Sequence, residues 1–372
     1  MPGPFPATGQ GLESRAEEAR MSPRVLIVGA GPTGLTAAVE LARRGILPEI
    51  IEKRPGPSRL SRAVGILPSS IEIFRRSGTD TPVLDEAVRF EGGVFHDGTK
   101  PVLHLTLNFD ARMRIWGLAQ DRTERHLVET LERLGGSVRY GATLDHLRET
   151  EDAVEVRVGG VEARHDLVIG ADGVHSAVRA ALGFDFPGHD LPEQWSIADV
   201  DAPDWHGRGR FMGYRLDGGN VAVVVPLETA RFRVIASEPD ALAALPVPMP
   251  VTTVRRSGAF IISVRQVARY QSARVFLAGD AAHCHSPVGG RGMNLGISDA
   301  AELAERIALG TTEGYTEARH AAGAHVIALS ERGRRFIQAK GPVARAGVLA
   351  AMRTVNAVPA LRRAVARQLV SG

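Results

Sequence analysis

The sequence predicts an α/β fold with a parallel sheet flanked by helices, a segment of successive strands, and C-terminal helices. Three observations support this prediction. A glycine-rich turn, Gly29-Ala30-Gly31-Pro32-Thr33-Gly34, separates an apolar run from a helical pattern. Four strand-like runs then follow one another between residues 195 and 236, and helical periodicity resumes at Met293.

The glycine-rich turn begins the fold. The apolar run 25–28 predicts a strand, and the apolar residues between 35 and 42 fall on one face of a helix. Gly29, Gly31 and Gly34 allow a tight turn and a close backbone approach, and the N–H groups at the helix start attract a pyrophosphate. This strand, turn and helix predict a Rossmann-like dinucleotide site. A structural turn without a ligand is the alternative.

A second strand is predicted over 46–51, after the helix stop at Gly45. It ends in Glu52, 18 residues beyond Gly34, where a carboxylate can accept hydrogen bonds from ribose hydroxyls. For Glu52 alone, a solvated strand end is an open alternative. The turn and the acid indicate a dinucleotide without specifying which one.

The remaining elements follow in chain order. Residues 69–76 predict a helix, and Asp121 with Glu124 three positions later predicts a capped helix that Gly135 ends. The other predicted elements are strands at 138–140, 153–158, 167–169, 195–200, 211–216, 221–225 and 232–236, a turn at 217–220, a helix at 293–309, and two or three further helices broken at Pro359.

Two further glycine-containing turns follow short apolar strands. One is Gly170-Ala171-Asp172-Gly173, and the other is Gly279-Asp280-Ala281-Ala282-His283. The carboxylate of Asp280, at the end of a strand, can make a charge-assisted hydrogen bond to a ligand hydroxyl, and a simple turn former is the alternative for this residue. Together with the first turn, they predict three remote segments around one ligand.

Composition limits the function classes. The chain has 372 residues, 44% of them hydrophobic and 23% charged, which suits two globular domains. We expect no membrane span and no signal peptide. Cys284 is the single cysteine, so the sequence favours a reducing cytoplasm. The net charge of +3 comes with scattered arginines, which argues against nucleic acid and fits an anionic nicotinamide cofactor. Residues 1–20 are predicted to be a disordered leader.

The three segments, in this order, resemble those of the flavoprotein aromatic hydroxylases, the single-component FAD monooxygenases of the para-hydroxybenzoate hydroxylase type. They match that family's dinucleotide fingerprint, its DG motif and its GD motif. The resemblance implies an FAD-binding domain with C-terminal helices at 21–183 and 273–372. It also implies an inserted antiparallel β-sheet domain for the substrate at 184–272.

The resemblance also assigns site residues. It places Glu52 at the adenosine ribose, Arg62 on the flavin side of the cofactor, and Gln120 at the ribityl chain. A surface role is the alternative for Arg62. The remaining implied FAD contacts are Gly29, Gly31, Gly34, Asp172, Gly173, Gly279, Asp280, Gly292, Met293 and Asn294.

The loop before the helix at Met293 is expected nearest the chemistry, at Pro287, Gly289 and Gly290. Backbone N–H groups at this helix start could stabilise negative charge on a reduced flavin. His283, Cys284 and His285 lie in the same segment without a second ligand cluster, so we predict no metal.

The implied reaction is hydroxylation of an aromatic or phenolic small molecule by O2, through a flavin hydroperoxide, with NADPH or NADH as transient reductant. The residues do not identify the substrate, a catalytic base, or a choice between monomer and homodimer. An epoxidase or other flavin oxidoreductase of the same fold, and a catalytically silent FAD-binding protein, are alternatives. Asp280 disfavours a simple NAD-dependent dehydrogenase.

Overall fold

The computed structural model describes residues 22–58, 63–107 and 114–370. The predicted leader 1–20 and Arg62 lie outside the described residues. In chain order, the strands are β1 (Val25–Val28), β2 (Glu49–Glu52), β3 (Gly65–Ile66), β4 (Val88–Arg89), β5 (Gly92–Asp97), β6 (Lys100–Thr106), β7 (Trp116–Gly117), β8 (Val138–Tyr140), β9 (Leu144–Glu149), β10 (Val154–Val158), β11 (Val161–His165), β12 (Leu167–Gly170), β13 (Gly188–Asp201), β14 (Arg210–Arg215), β15 (Val221–Pro226), β16 (Arg231–Ala236), β17 (Thr253–Gln266), β18 (Val275–Leu277) and β19 (His283–Cys284). The helices are α1 (Pro32–Ala42), α2 (Pro68–Arg75), α3 (Asp80–Glu86), α4 (Gln120–Arg133), α5 (Ala177–Ala181), α6 (Gly292–Leu309), α7 (Tyr315–Ile337), α8 (Pro342–Ala357) and α9 (Pro359–Val370).

A five-stranded parallel sheet has the order β18-β12-β1-β2-β8. Every residue of the central strand β1 and of the edge strand β18 is buried, as expected for strands of a parallel sheet covered by helices. Each of the three glycine-containing turns follows one of these strands. Because the strands are parallel, their carboxyl ends meet at one edge of the sheet.

A second sheet of eight strands has the order β19-β17-β13-β16-β15-β14-β5-β6. Its neighbours pair antiparallel except β14 and β5, which are parallel. The sheet is larger than the predicted strand segment, because β5 and β6 come from before residue 184 and β19 from after residue 272. The long strand β17 had no sequence prediction, since its polar and glycine-containing text hides the alternation of a strand.

The start of α4 differs from the prediction that Asp121 caps it. The helix begins at Gln120, and Ala119 occupies the cap position without a side-chain hydrogen bond. Asp121 lies in the first turn instead, with its Oδ1 3.8 Å from the Arg231 guanidinium of the eight-stranded sheet. The predicted cap was therefore wrong by two residues, and the Asp121 carboxylate faces an arginine of the sheet instead.

The C-terminal helices pack against the eight-stranded sheet. Val348 and Met352 of α8 share an apolar cluster with Val102 and Leu105 of β6. Ala366 of α9 belongs to a separate cluster, described below. Over the described ranges, we find no helix with both the length and the apolar character of a membrane span.

Candidate cofactor site

The three predicted segments meet at the carboxyl edge of the parallel sheet. A Cβ added to Gly29 would lie 2.4 Å from the Ala171 carbonyl oxygen, so the first and second turns are in direct contact. The Ala278 N–H donates to the Gly170 carbonyl at 3.0 Å, which joins the second segment to the third. A Cβ on Gly279 would lie 2.5 Å from Thr33 Oγ1. The third segment therefore also touches the first.

The first turn has two kinds of glycine. Gly29 has a φ of 105°, and a Cβ on Gly34 would lie 1.9 Å from the Gly29 carbonyl oxygen. These two glycines are needed for the turn and its packing. Gly31, at the cap of α1, would direct a Cβ into open space with nothing within 4 Å. That open backbone beside a helix N-terminus fits a pyrophosphate.

Glu52 is buried and braces this turn. Its carboxylate accepts hydrogen bonds from the Ala30 N–H at 3.0 Å and from the Arg54 backbone N–H at 2.9 Å. The Arg54 guanidinium donates to Glu52 at 3.1 Å and to the Ala30 carbonyl at 3.1 Å. Burial alone would raise the pKa of Glu52, but the hydrogen bonds from Arg54 and Ala30 hold it below its usual value.

Arg54 is a site residue that the sequence analysis missed. Its Nη1 lies 3.5 Å from Glu124, Glu124 accepts from Gln120 Nε2 at 2.8 Å, and Gln120 Oε1 accepts the Ala63 N–H at 3.0 Å. Burial raises the pKa of Glu124. A continuous polar chain thus runs from the glycine-rich turn to the segment that follows Arg62. Only the position of Arg54, two residues after the strand-ending acid, could have suggested it.

The two carboxylate oxygens of Asp172 have different surroundings. Its Oδ2 accepts the Ala177 N–H at 2.6 Å and the Val178 N–H at 3.2 Å, which holds the start of α5. Its Oδ1 is buried and has no hydrogen-bond partner among the described residues, and burial raises the pKa of this carboxyl. Gly173 follows with a φ of 81°. An orphaned buried acceptor at this edge fits a ligand that supplies a donor.

The third segment forms one turn of 3₁₀ helix, Gly279–Ala281, directly after β18. Gly279 has a φ of 61°, and Asp280 is exposed at the edge of the sheet. The Gly279 N–H donates to the buried carboxylate of Asp299 at 3.0 Å. Asp280 therefore projects from a turn whose backbone is fixed from inside the protein.

The loop before α6 contains the residues predicted nearest the chemistry. Gly290 donates its N–H to the Pro287 carbonyl at 2.9 Å, and Gly289 and Gly290 have φ values of 90° and 62°. Helix α6 then begins at Gly292, and its first intrahelical bond joins the Leu295 N–H to the Arg291 carbonyl. The N–H groups of the first turn thus lie at the open end of α6.

Asn294 has a supporting role in that turn. Its side-chain oxygen accepts from the Leu67 N–H and from Ser70 Oγ, both at 2.8 Å. Its amide nitrogen donates to the Gly65 carbonyl at 2.8 Å and to the Gly290 carbonyl at 3.1 Å. The side chain of Asn294 therefore joins the loop to β3, and only its backbone remains for the predicted cofactor contact. Met293 lies beside it, packed against the core of the parallel sheet.

His285 and Cys284 are uncharged in this environment. Burial lowers the pKa of His285 to about 4, and its Nδ1 lies 2.8 Å from the Ser286 carbonyl. Burial raises the pKa of the Cys284 thiol to about 12. Across the part of the chain that the structure describes, no group of three or more His, Cys, Asp or Glu residues is arranged to hold a metal ion.

Comparison with known proteins identifies the family. The FAD binding domain family matches residues 23–244 and 242–329. Rifampicin monooxygenase of Streptomyces venezuelae is 35% identical over 303 residues, which are 76% of this chain and 63% of that protein. Dialkyldecalin synthase of Streptomyces rugosporus is 30% identical over 367 residues, 90% of this chain and 76% of that protein.

This chain also has the fold of a solved hydroxylase structure. The OxyS anhydrotetracycline hydroxylase from Streptomyces rimosus superposes with a TM-score of 0.78 at 28% identity, covering 94% of this chain and 76% of that one. The family match confirms FAD as the predicted cofactor. The chain spans less than two thirds of the length of rifampicin monooxygenase. It belongs to the FAD binding domain family.

Proposed function

We propose that this protein is an FAD-dependent monooxygenase that uses O2 and NADPH or NADH to hydroxylate an aromatic or phenolic small molecule. The parallel sheet would be its Rossmann-like FAD-binding domain, and the eight-stranded sheet would be its substrate domain. The observation that carries the proposal is the meeting of the three glycine-containing turns at one sheet edge, next to the open start of α6.

The residues divide the work of holding FAD. Gly31 and the start of α1 would receive the pyrophosphate, and Glu52 the adenosine ribose. Asp280 and Gln120 would hold the ribityl chain. The open end of α6 would favour negative charge on the flavin ring. When bound, FAD supplies the capacity to accept hydride and to activate dioxygen.

An apolar cluster next to the flavin loop would position the substrate ring and exclude water. It includes Val64, Leu67, Phe90 and Ile115, together with Ala366 of α9. Leu67 is tied to the loop because its N–H donates to Asn294. The Arg291 guanidinium donates to the Gln368 carbonyl, which fixes α9 against the same loop. We infer a flat, largely apolar substrate from this lining.

A second candidate is an FAD-binding protein that does not turn over its flavin. The similarity to dialkyldecalin synthase over 90% of this chain favours it, because that relative is named as a synthase rather than a monooxygenase. The shared fold alone does not decide between the two. A cytoplasmic location, which the lone cysteine favours, accompanies either function.

One assay separates these candidates. The purified protein is loaded with FAD, and NADH and NADPH oxidation are followed with and without a panel of phenols and polycyclic aromatics under ¹⁸O2. The proposal predicts substrate-stimulated oxidation and one ¹⁸O atom in the product. Bound FAD that neither nicotinamide reduces, with or without these substrates, would contradict the proposal and favour the second candidate.

A further inference from the structure

A buried carboxylate lies directly behind the third glycine-containing turn. Asp299 of α6 is 0% exposed. Its Oδ2 accepts the Gly279 N–H at 3.0 Å and lies 2.6 Å from His283 Nε2. Its Oδ1 accepts from Arg319 Nε of α7 at 2.6 Å. The carboxylate therefore holds three donors, two from the segment Gly279–His283 and one from α7.

Two of these donors bracket the residue predicted to bind the ribityl chain. Gly279 precedes Asp280, and His283 follows it three positions later. Because one oxygen atom receives both donors, the turn from 279 to 283 is closed across a single acceptor. A shift of that oxygen would move the backbone on both sides of Asp280.

The site is built for an ionised carboxylate. Although burial alone would raise the pKa of Asp299, His283, Arg319 and the Gly279 N–H hold it below its usual value. Arg319 is also buried, and its Nη1 donates to Glu302 at 2.9 Å. An amide in place of the carboxylate would present N–H groups to at least one of the three donors.

We propose that Asp299 is a positioning residue, whose buried carboxylate clamps the turn from Gly279 to His283 and so sets the orientation of Asp280 toward FAD. The proposal rests on the proposed function only in requiring FAD at this sheet edge. Asp299 acts through the backbone and does not touch the cofactor itself. His283 is the second part of the clamp.

The test compares FAD binding among four variants, measured by titrating each apo-protein and following quenching of flavin fluorescence. For Asp299→Asn and His283→Leu, we expect the FAD dissociation constant to rise about tenfold or more, the cost of a buried charge-assisted hydrogen bond. His283→Gln keeps an N–H donor and should restore most of the affinity. Glu302→Gln leaves the carboxylate's own contacts in place and should bind like the wild type.

A urea titration of each apo-variant identifies those that are folded at the titration temperature. If Asp299→Asn does not fold, the comparison of His283→Leu with His283→Gln decides. Wild-type FAD affinity in folded Asp299→Asn or in folded His283→Leu would overturn the proposal. Because the readout is FAD binding, a wild-type protein that binds FAD but hydroxylates nothing would contradict the proposed function and not this inference.

Discussion

Two buried aspartate–arginine pairs, one within the eight-stranded sheet and one on the helices beside the parallel sheet, have different hydrogen bonds. In the eight-stranded sheet, Asp199 takes both of its bonds from the single guanidinium of Arg233, at 2.7 and 2.8 Å. Beside the parallel sheet, only Oδ1 of Asp299 accepts a hydrogen bond from Arg319. Its Oδ2 accepts hydrogen bonds from the turn that carries Asp280. The first pair stabilises the fold alone, whereas the second also holds the turn that we propose binds FAD.

The Asp199–Arg233 pair also connects the eight-stranded sheet to the segment before β3. The two residues lie on the adjacent strands β13 and β16, and Arg233 Nη1 is 3.3 Å from the Ala63 carbonyl. Ala63 also donates to Gln120, the predicted ribityl contact. These bonds join the eight-stranded sheet to the helix that carries Gln120. Breaking this pair should affect stability first and cofactor binding second.

The largest expected effect follows from removing Asp199. In Asp199→Ala, the Arg233 guanidinium, which is 0% exposed, loses its counter-ion, and we expect a loss of about 3–5 kcal/mol in the free energy of unfolding. Urea denaturation of the apo-protein measures it. The double variant Asp199→Leu/Arg233→Met removes both charges and should recover much of the loss. A loss below about 1 kcal/mol in Asp199→Ala would contradict the account of this pair.

The glycines of the first turn give the next largest effect. Gly34→Ala places a Cβ 1.9 Å from a backbone oxygen, so we expect a loss of about 1–3 kcal/mol in apo-protein stability. Gly31→Ala places its Cβ in open space, so apo stability should stay within about 0.5 kcal/mol of the wild type while FAD affinity falls. Thermal unfolding and FAD titration separate the two. Equal stability losses in both variants would count against this division of roles.

Glu52 gives a smaller, pH-dependent effect. Its pKa is lowered in the folded protein, so its carboxylate contributes stability above its unfolded pKa of about 4.3, and this contribution is lost as the pH falls through the folded value. In Glu52→Gln, the apo-protein should show a shallower loss of stability below about pH 4.5. Urea midpoints measured from about pH 6 to 3 test this. An unchanged slope would show that Glu52 is not stabilised as described.

Cys284 should show the smallest effect. Because burial raises the pKa of its thiol to about 12, little thiolate exists near neutral pH, and a disulfide reagent should label the native protein slowly. The unfolded protein should react much faster under the same conditions. Rapid labelling of the native protein at neutral pH would contradict the described environment.

The parts of the fold that the sequence predicted well depend on local patterns. Strand β1, the turn at Gly29 and helix α1 follow one another within 18 residues, and each has a local cause in apolar periodicity or glycine. The same holds for the strands that lead into Gly170 and Gly279. The width of the eight-stranded sheet and strand β17 depend instead on pairings between distant segments, such as β14 with β5.

Some residues of the site could not be predicted from the sequence, because their partners are far away along the chain. The bond from Arg54 to Glu124 joins residues 70 positions apart, and the bond from Arg233 to Asp199 joins residues 34 positions apart. The sequence around such an arginine does not identify it, because its neighbours resemble those of any arginine in a strand or loop. The motifs predict where the cofactor binds, whereas the charged residues around that site are brought there by tertiary contacts.

The most direct test of the central claim is hydrogen exchange of the apo-protein with and without FAD. If the three turns hold one cofactor, backbone protection should rise together in peptides covering 28–35, 170–178 and 278–295, at one FAD per chain. Peptides from the outer strand β11 should be unchanged. Stoichiometric FAD binding that leaves any of the three turns unprotected would contradict the claim that they form one site.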